Sequence, residues 1–434
     1  MKNKIYALTA FAFLTAGVLA GCSAGGRKEE VHLVVKTPIL PMEYGEEIQE
    51  SYDLLKKALD EFTAQYDDAE ITYDLMKFAY VDEEEYITDT FDTENAPDIL
   101  FEGYFNMASY IHTGRVVPLD DIITEELRAD IDEMSWRQSQ VAGKTYMMPY
   151  YTLQNTLAYN KILFEDAGLS AYCSEEAAIQ SWTLEEWEEI LATLKAELPE
   201  LSYPMMMYAK NNQGDTHIMV LLRSHGSEFF DDAHNFNLNT EEGIEALRWL
   251  KDCYDAGYFP AGAENMEISE NSLLRDNNQL AVFQINNSRR NPDWGYVNFP
   301  SADGRGYATS FLSGFEIFDN GDEKKIQAAK DFLRFFYSRD DLMDVSACGL
   351  PVSAKVTERH MDDVYMLEAY QKNAENVVDF TENNPDWTGI RGVFYTYIHD
   401  LLTGVRTPEQ VAADIDTECN AILEEGRKNS VLHE

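Results

Sequence analysis

From Val31 to Glu425 the chain alternates short β-rich runs with amphipathic helical segments. That alternation predicts an α/β fold built on open, largely parallel sheets. Val31–Lys36, Ile71–Phe78, Asp98–Phe101, Leu280–Ile285 and Phe311–Phe318 read as strands, and Tyr146–Tyr159 has apolar, aromatic β character. Glu46–Tyr66 repeats Tyr52, Leu55, Leu59 and Phe62 at helical spacing, and Glu323–Ser338 sets Ala328, Phe332 and Phe335 on one face. Met107–Thr113 reads as a helix that Gly114 suits as a C-cap. Thr183 with Glu186 forms a capping box, a further helix opens near Thr240 and closes at Gly257, and Thr407-Pro408 opens a terminal one.

The first residues have a different logic. Lys2 and Lys4 precede an apolar run, Ile5–Leu19, that is shorter than the roughly 20 residues a membrane-spanning helix needs. Leu19-Ala20-Gly21-Cys22 then resembles a bacterial lipobox, in which residues 1–21 are a signal peptide and the Cys22 thiol is lipidated. Acyl chains there would hold the protein on the outer face of a membrane, with residues 22–30 as a tether. Of 434 residues, 413 remain after such cleavage, more than one core usually organises, so two lobes are expected. The formal charge of −44 disfavours nucleic acid and anionic lipid as partners. Cys173, Cys253, Cys348 and Cys419 match no zinc spacing and read as buried thiols or one disulfide.

Several segments together resemble the extracellular solute-binding proteins of ABC importers, the maltose-binding-protein-like family. Ala96-Pro97-Asp98-Ile99 with Gly114–Asp120, Gly143–Pro149 with Tyr159-Asn160-Lys161, and Phe164–Leu169 are similar to that family's motifs, in its order. Ser181–Trp187, Gly349–Val352 and Leu402–Gly404 continue the likeness toward the C-terminus. The resemblance implies a two-lobe, periplasmic-binding-protein type II-like fold with a hinge of crossing segments near Tyr151–Thr156, Val297–Ser301 and after Ser338. Lobe one would combine 31–152 with 301–340, and lobe two 153–300 with 341–434. It further implies a monomeric receptor, without cofactor or metal, that takes a small solute in the interlobe cleft and passes it to permease subunits. Lipid tethering fits a Gram-positive cell, which has no periplasm to retain such a receptor.

Sugar recognition needs flat aromatic faces and planar polar groups. The resemblance places Glu102 and Tyr104 at the end of the Asp98–Phe101 strand, and Tyr150, Tyr151 and Gln154 at the first crossing. Asn286 and Arg289 fall in the loop after Leu280–Ile285, and Phe311 and Ser313 in the matching segment of lobe one. Trp387 and Arg391 align near a late cleft tryptophan of relatives; Trp294, Glu43 and Tyr44 complete the candidates. Relatives carry aromatics where this chain has Glu102 and Arg289, so stacking would fall on Tyr104, Trp294 or Trp387. That charged pair leaves an acidic, amino or phosphorylated solute open beside a neutral sugar, and sensing open beside transport. The chain has no G-x-S-x-G, H-E-x-x-H or S-x-x-K set, which argues against a hydrolase. Asp231–Asn237 departs from a calcium loop at Ala233 and lacks its glycine.

Overall fold

The computed structural model describes residues 28–79, 83–174, 177–210 and 215–432. The leader, Cys22 and most of the tether lie outside them. The principal strands are β1 (Glu30–Pro38), β2 (Glu70–Phe78), β3 (Ile99–Gly103), β4 (Met148–Asn160), β5 (Tyr203–Met205), β6 (Leu280–Asn286), β7 (Trp294–Val297) and β8 (Ala308–Ile317). The helices that matter below are α1 (Ser51–Gln65), α2 (Glu83–Thr88), α3 (Met107–His112), α4 (Glu133–Gln138), α5 (Leu184–Glu197), α6 (Glu241–Asp255), α7 (Glu323–Tyr337), α8 (Trp387–Leu402) and α9 (Pro408–Asn429).

One sheet runs through the molecule in the order β5–β6–β4–β8–β3–β1–β2. Its outer pairs β1/β2, β1/β3 and β5/β6 are parallel, as the alternation of strands and helices requires. Its centre is antiparallel, because β4 and β8 are long strands that each serve both halves. Along one edge of β4, β8 pairs as far as Asn155 and β7 takes over at Leu157. Along the other edge, Leu350-Pro351 pairs with Tyr151 and Thr152 before β6 begins at Asn155. Strand β4 thus exchanges its partners on both edges near residues 152–157.

Local signals explain the helices. Thr183 caps α5, accepting from the Glu186 N–H at 3.2 Å while the Glu186 carboxylate accepts from the Thr183 N–H at 2.8 Å. Thr240 and Thr407 likewise cap α6 and α9. The helix expected over Glu46–Tyr66 begins only at Ser51. Its first residues instead form a hairpin, Pro41–Tyr44 against Ile48–Glu50, turned by left-handed Gly45 at φ 63°. Glu50 and Asp53 then cap α1 reciprocally. On α7 the inward face carries Ala328, Phe332 and Phe336, whereas Phe335 lies at its margin. The four described cysteines are free thiols, and burial raises the pKa of Cys253 and Cys419.

Burial lowers the pKa of two histidines. His217 is fully buried, stacked on Tyr208 at 5.3 Å, and burial lowers its pKa from 6.5 to about 4 despite a hydrogen bond to the Met206 carbonyl. His225 lies flat on Trp249 at 3.8 Å, and burial again brings it to about 4. Both fold into the neutral form, so their contribution is complete above about pH 6.5 and drains away as the pH falls toward 4. Melting temperature should therefore drop on acidification through that window, each histidine adding a slope of up to about 1.4 kcal/mol per pH unit. Melting curves from pH 7 to 4.5 check this, and His217→Gln should flatten the slope.

Candidate functional site

Strand β3 is buried along its whole length and releases Glu102, Gly103 and Tyr104 at its C-terminal end, where open α/β sheets bind ligands. Antiparallel pairing sets Ser313 of β8 opposite Gly103 and brings Phe311 over it. A Cβ on Gly103 would lie 2.3 Å from the Phe311 ring, so the bare glycine is what lets that ring lie down on the strand. Tyr104, Phe105 and Phe311 then form a continuous aromatic surface, with ring centres 4.8 and 5.4 Å apart.

The facing groups come from α8 and the segment before it. Asp386 caps α8 by accepting from the Gly389 N–H at 2.7 Å. Trp387 and Arg391, one turn apart, share a face of that helix. The Arg391 guanidinium sits 4.7 Å from the Phe105 ring centre and 6.0 Å from that of Trp387. Tyr104 donates its hydroxyl to Asp379 at 3.0 Å, and Asp379 is held by Thr381 through its N–H and hydroxyl. Thr388 reaches Asn106 at 3.5 Å. Glu84 of α2 completes the ring. Burial raises its pKa, a hydrogen bond from Thr388 opposes the rise, Asp386 adds to it, and Arg391 counters it.

Aromatic planes, one guanidinium and two or more carboxylates thus converge from segments far apart in the chain, residues 84–106 and 311 on one side and 379–391 on the other. Such a set stacks on the C–H face of a pyranose and pairs with neighbouring hydroxyls in two directions, the carboxylates accepting and the guanidinium donating. Of the residues singled out in the sequence, the structure gathers Tyr104, Phe311, Trp387 and Arg391 here, Tyr104 and Trp387 buried and Phe311 and Arg391 half-buried, with Glu102 and Ser313 buried at the adjoining strand ends.

The others lie elsewhere. Tyr150 is a core residue of lobe one, donating to the Leu342 carbonyl at 2.5 Å and packing on Phe101 and Phe336. Tyr151 is buried beside Tyr150, over bare Gly349. Gln154 pairs with Ser310, one residue out of phase with Leu153 and Phe311, and so points to the opposite face of the sheet. There its carboxamide donates to the Tyr370 carbonyl at 3.2 Å and accepts from Asn373 at 2.8 Å. Asn373 in turn bonds Asn298 at 2.7 Å, a buried amide network where the crossing segments meet. Asn286 closes a turn by accepting from Ser288, and Arg289 is exposed. Trp294 pairs with Asn160 at the far end of β4, edge-on to Phe283 at 4.9 Å and beneath Arg275. On the hairpin, Glu43 is exposed and Tyr44 meets His360 edge-on at 6.1 Å.

Sequence reasoning passed over Phe105, Asn106, Asp379, Thr388 and Glu84. The first two directly follow Tyr104 at a strand end, which was signal enough to include them. Asp379 and Thr388 carry no local pattern, since their partners are 275 and 282 residues away.

The family model of the bacterial extracellular solute-binding proteins matches residues 45–342, more than half of the chain. A diacetylchitobiose-binding protein of Streptomyces coelicolor is 20% identical over 375 residues, covering 82% of this chain and 83% of its own. Among solved structures, an ABC substrate-binding protein of Listeria monocytogenes in complex with cycloalternan superposes with a TM-score of 0.71 at 18% identity, covering 91% of this chain and 99% of its own. The GacH receptor of Streptomyces glaucescens, solved free and with acarbose, also reaches 0.71, at 14% identity over 92% of this chain and 99% of its own. At these identities the structural likeness establishes the two-lobe fold of binding proteins. The family model and the fold agree: the chain belongs to the bacterial extracellular solute-binding proteins, a family that binds its substrates without transforming them.

Proposed function

We propose that this receptor captures a neutral mono- or oligosaccharide between its lobes and delivers it to the permease subunits of an ABC importer. The reading rests on the meeting of Tyr104, Phe105 and Phe311 with Trp387 and Arg391. Solved relatives were captured with sugars, among them cycloalternan and acarbose, which supports the same class here. Glu102 is buried at the end of β3 while Arg289 is exposed in the loop after β6, which supports a neutral solute over a charged one. We assign residues 31–152 with 301–340 to lobe one and 153–300 with 341–434 to lobe two, the partner exchange along β4 supporting the first crossing. Lipid on Cys22 would hold this monomer at the outer face of the membrane of a Gram-positive cell.

A thermal-shift screen of the chain from Ser23 onward tests this against neutral sugars, oligosaccharides, uronic and amino sugars, sugar phosphates, amino acids and polyamines. A ligand at 100 times its Kd should stabilise by about 2.7 kcal/mol. A shift with one class of neutral saccharide is the expected result. Shifts confined to charged solutes would overturn the carbohydrate assignment.

A further inference from the structure

Helix α9 packs on α6 and α8, in lobe two. The chain leaves it in an extended conformation at Ser430 and crosses to α3, which belongs to lobe one through the packing of Tyr110 on Phe91 and Phe318. There the Val431 N–H donates to the His112 carbonyl at 3.0 Å. That carbonyl is one of those a helix C-terminus leaves without an intrahelical partner. The His112 Nδ1 lies 2.7 Å from the Ser430 hydroxyl, and the Leu432 N–H donates to the same hydroxyl at 3.0 Å. Gly114 adopts φ 79°, and a Cβ there would come 2.8 Å from a Val431 methyl, so the glycine makes room for the crossing segment.

The same helix carries the cleft at its other end. Tyr104, Phe105 and Asn106 precede Met107 and are held by Asp379, Arg391 and Thr388. Lobe two therefore grips α3 at both ends, and the two grips stand only about 9 Å apart along six residues of helix. Parting the lobes at the cleft must also pull His112 from Ser430 and Val431.

We propose that residues 430–432 are a strap that biases the chain toward the closed arrangement before any solute binds. It is independent of which solute the cleft takes. Small-angle scattering of the ligand-free chain from Ser23 onward tests it, beside a chain ending at Asn429 and the full-length variant Val431→Pro. The proline lacks the N–H that caps α3 and leaves the rest of the chain in place. Near-ultraviolet circular dichroism would establish that each is folded. The full chain should be compact, and both altered chains should show a larger radius of gyration and maximum dimension. Identical scattering from all three, or a full chain already as extended as the altered ones, would overturn the strap.

Discussion

Replacing Arg391 with alanine should weaken saccharide binding by about thirtyfold or more, the loss of some 2 kcal/mol expected for an anchor residue at the centre of a desolvated site. Arg391 reaches both aromatic surfaces, lying over Phe105 at 4.7 Å and Trp387 at 6.0 Å from the ring centres. Its truncation removes a planar donor and separates the two stacking faces. Arg391→Lys keeps the charge but loses the flat fork, so it should recover only part of the affinity. Titration calorimetry with the saccharide that gives the largest thermal shift reads both. An alanine variant within threefold of the wild type would remove Arg391 from the site.

The second large effect is on stability. Gly314 lies where the pairing of β8 with β4 slips, Ser313 facing Tyr151 and Gly314 facing Pro149. The slip is a bulge that bends the strand at its entry into lobe one. A Cβ on Gly314 would come 2.4 Å from the Met148 carbonyl oxygen and 2.7 Å from the Met147 side chain. The oxygen is main chain and cannot swing aside, so the strands themselves must part. Gly314→Ala should destabilise by about 3 kcal/mol, the upper range for overpacking a core. Gly392→Ala serves as a control, since a Cβ there meets nothing within 4 Å and the backbone is helical. Comparable melting temperatures for the two variants would contradict the bulge as a tight passage.

The elements that were legible in the sequence are those with a strong local signal. Thr183 and Glu186 announce α5 because a capping box is a short-range device, and β1 and β3 are short runs of buried apolar residues. Helix α8 escaped the reading. It carries Gly389 and Gly392 and a crowd of aromatic and β-branched residues, all modest helix formers, and its apolar side chains surround the axis so that no clean 3.6-residue period emerges. It is a helix because it is buried, and burial is a property of the assembled fold.

The site divides in the same way. Tyr104, Phe311, Trp387 and Arg391 were reachable through family motifs, whose spacing carries them to strand ends and to α8. Tyr150 and Tyr151 looked equally suited, being aromatic and next to a crossing. All three tyrosines are buried, and what separates Tyr104 from Tyr150 is the partner its hydroxyl meets, the Asp379 carboxylate against the Leu342 carbonyl. Strand alternation could have told that Gln154 and Phe311 face opposite ways, had the partner register been known, and register depends on residues such as Gln154 and Ser310, 156 positions apart, meeting across the sheet. Asp379 meets Tyr104 across 275 residues of chain, a contact that exists in the assembled fold and in no local pattern.

The most direct test is a crystal structure of the chain from Ser23 onward with the saccharide that stabilises it most. The expected result is a pyranose ring against the half-buried Phe311 side of the surface formed by Tyr104, Phe105 and Phe311, its hydroxyls within hydrogen-bond distance of Arg391 and of Asp379 or Glu84. A saccharide lodged instead behind the crossing strands, in the cavity of about 340 Å³ lined by Gln138, Gln154, Ser310 and Tyr370, would contradict it.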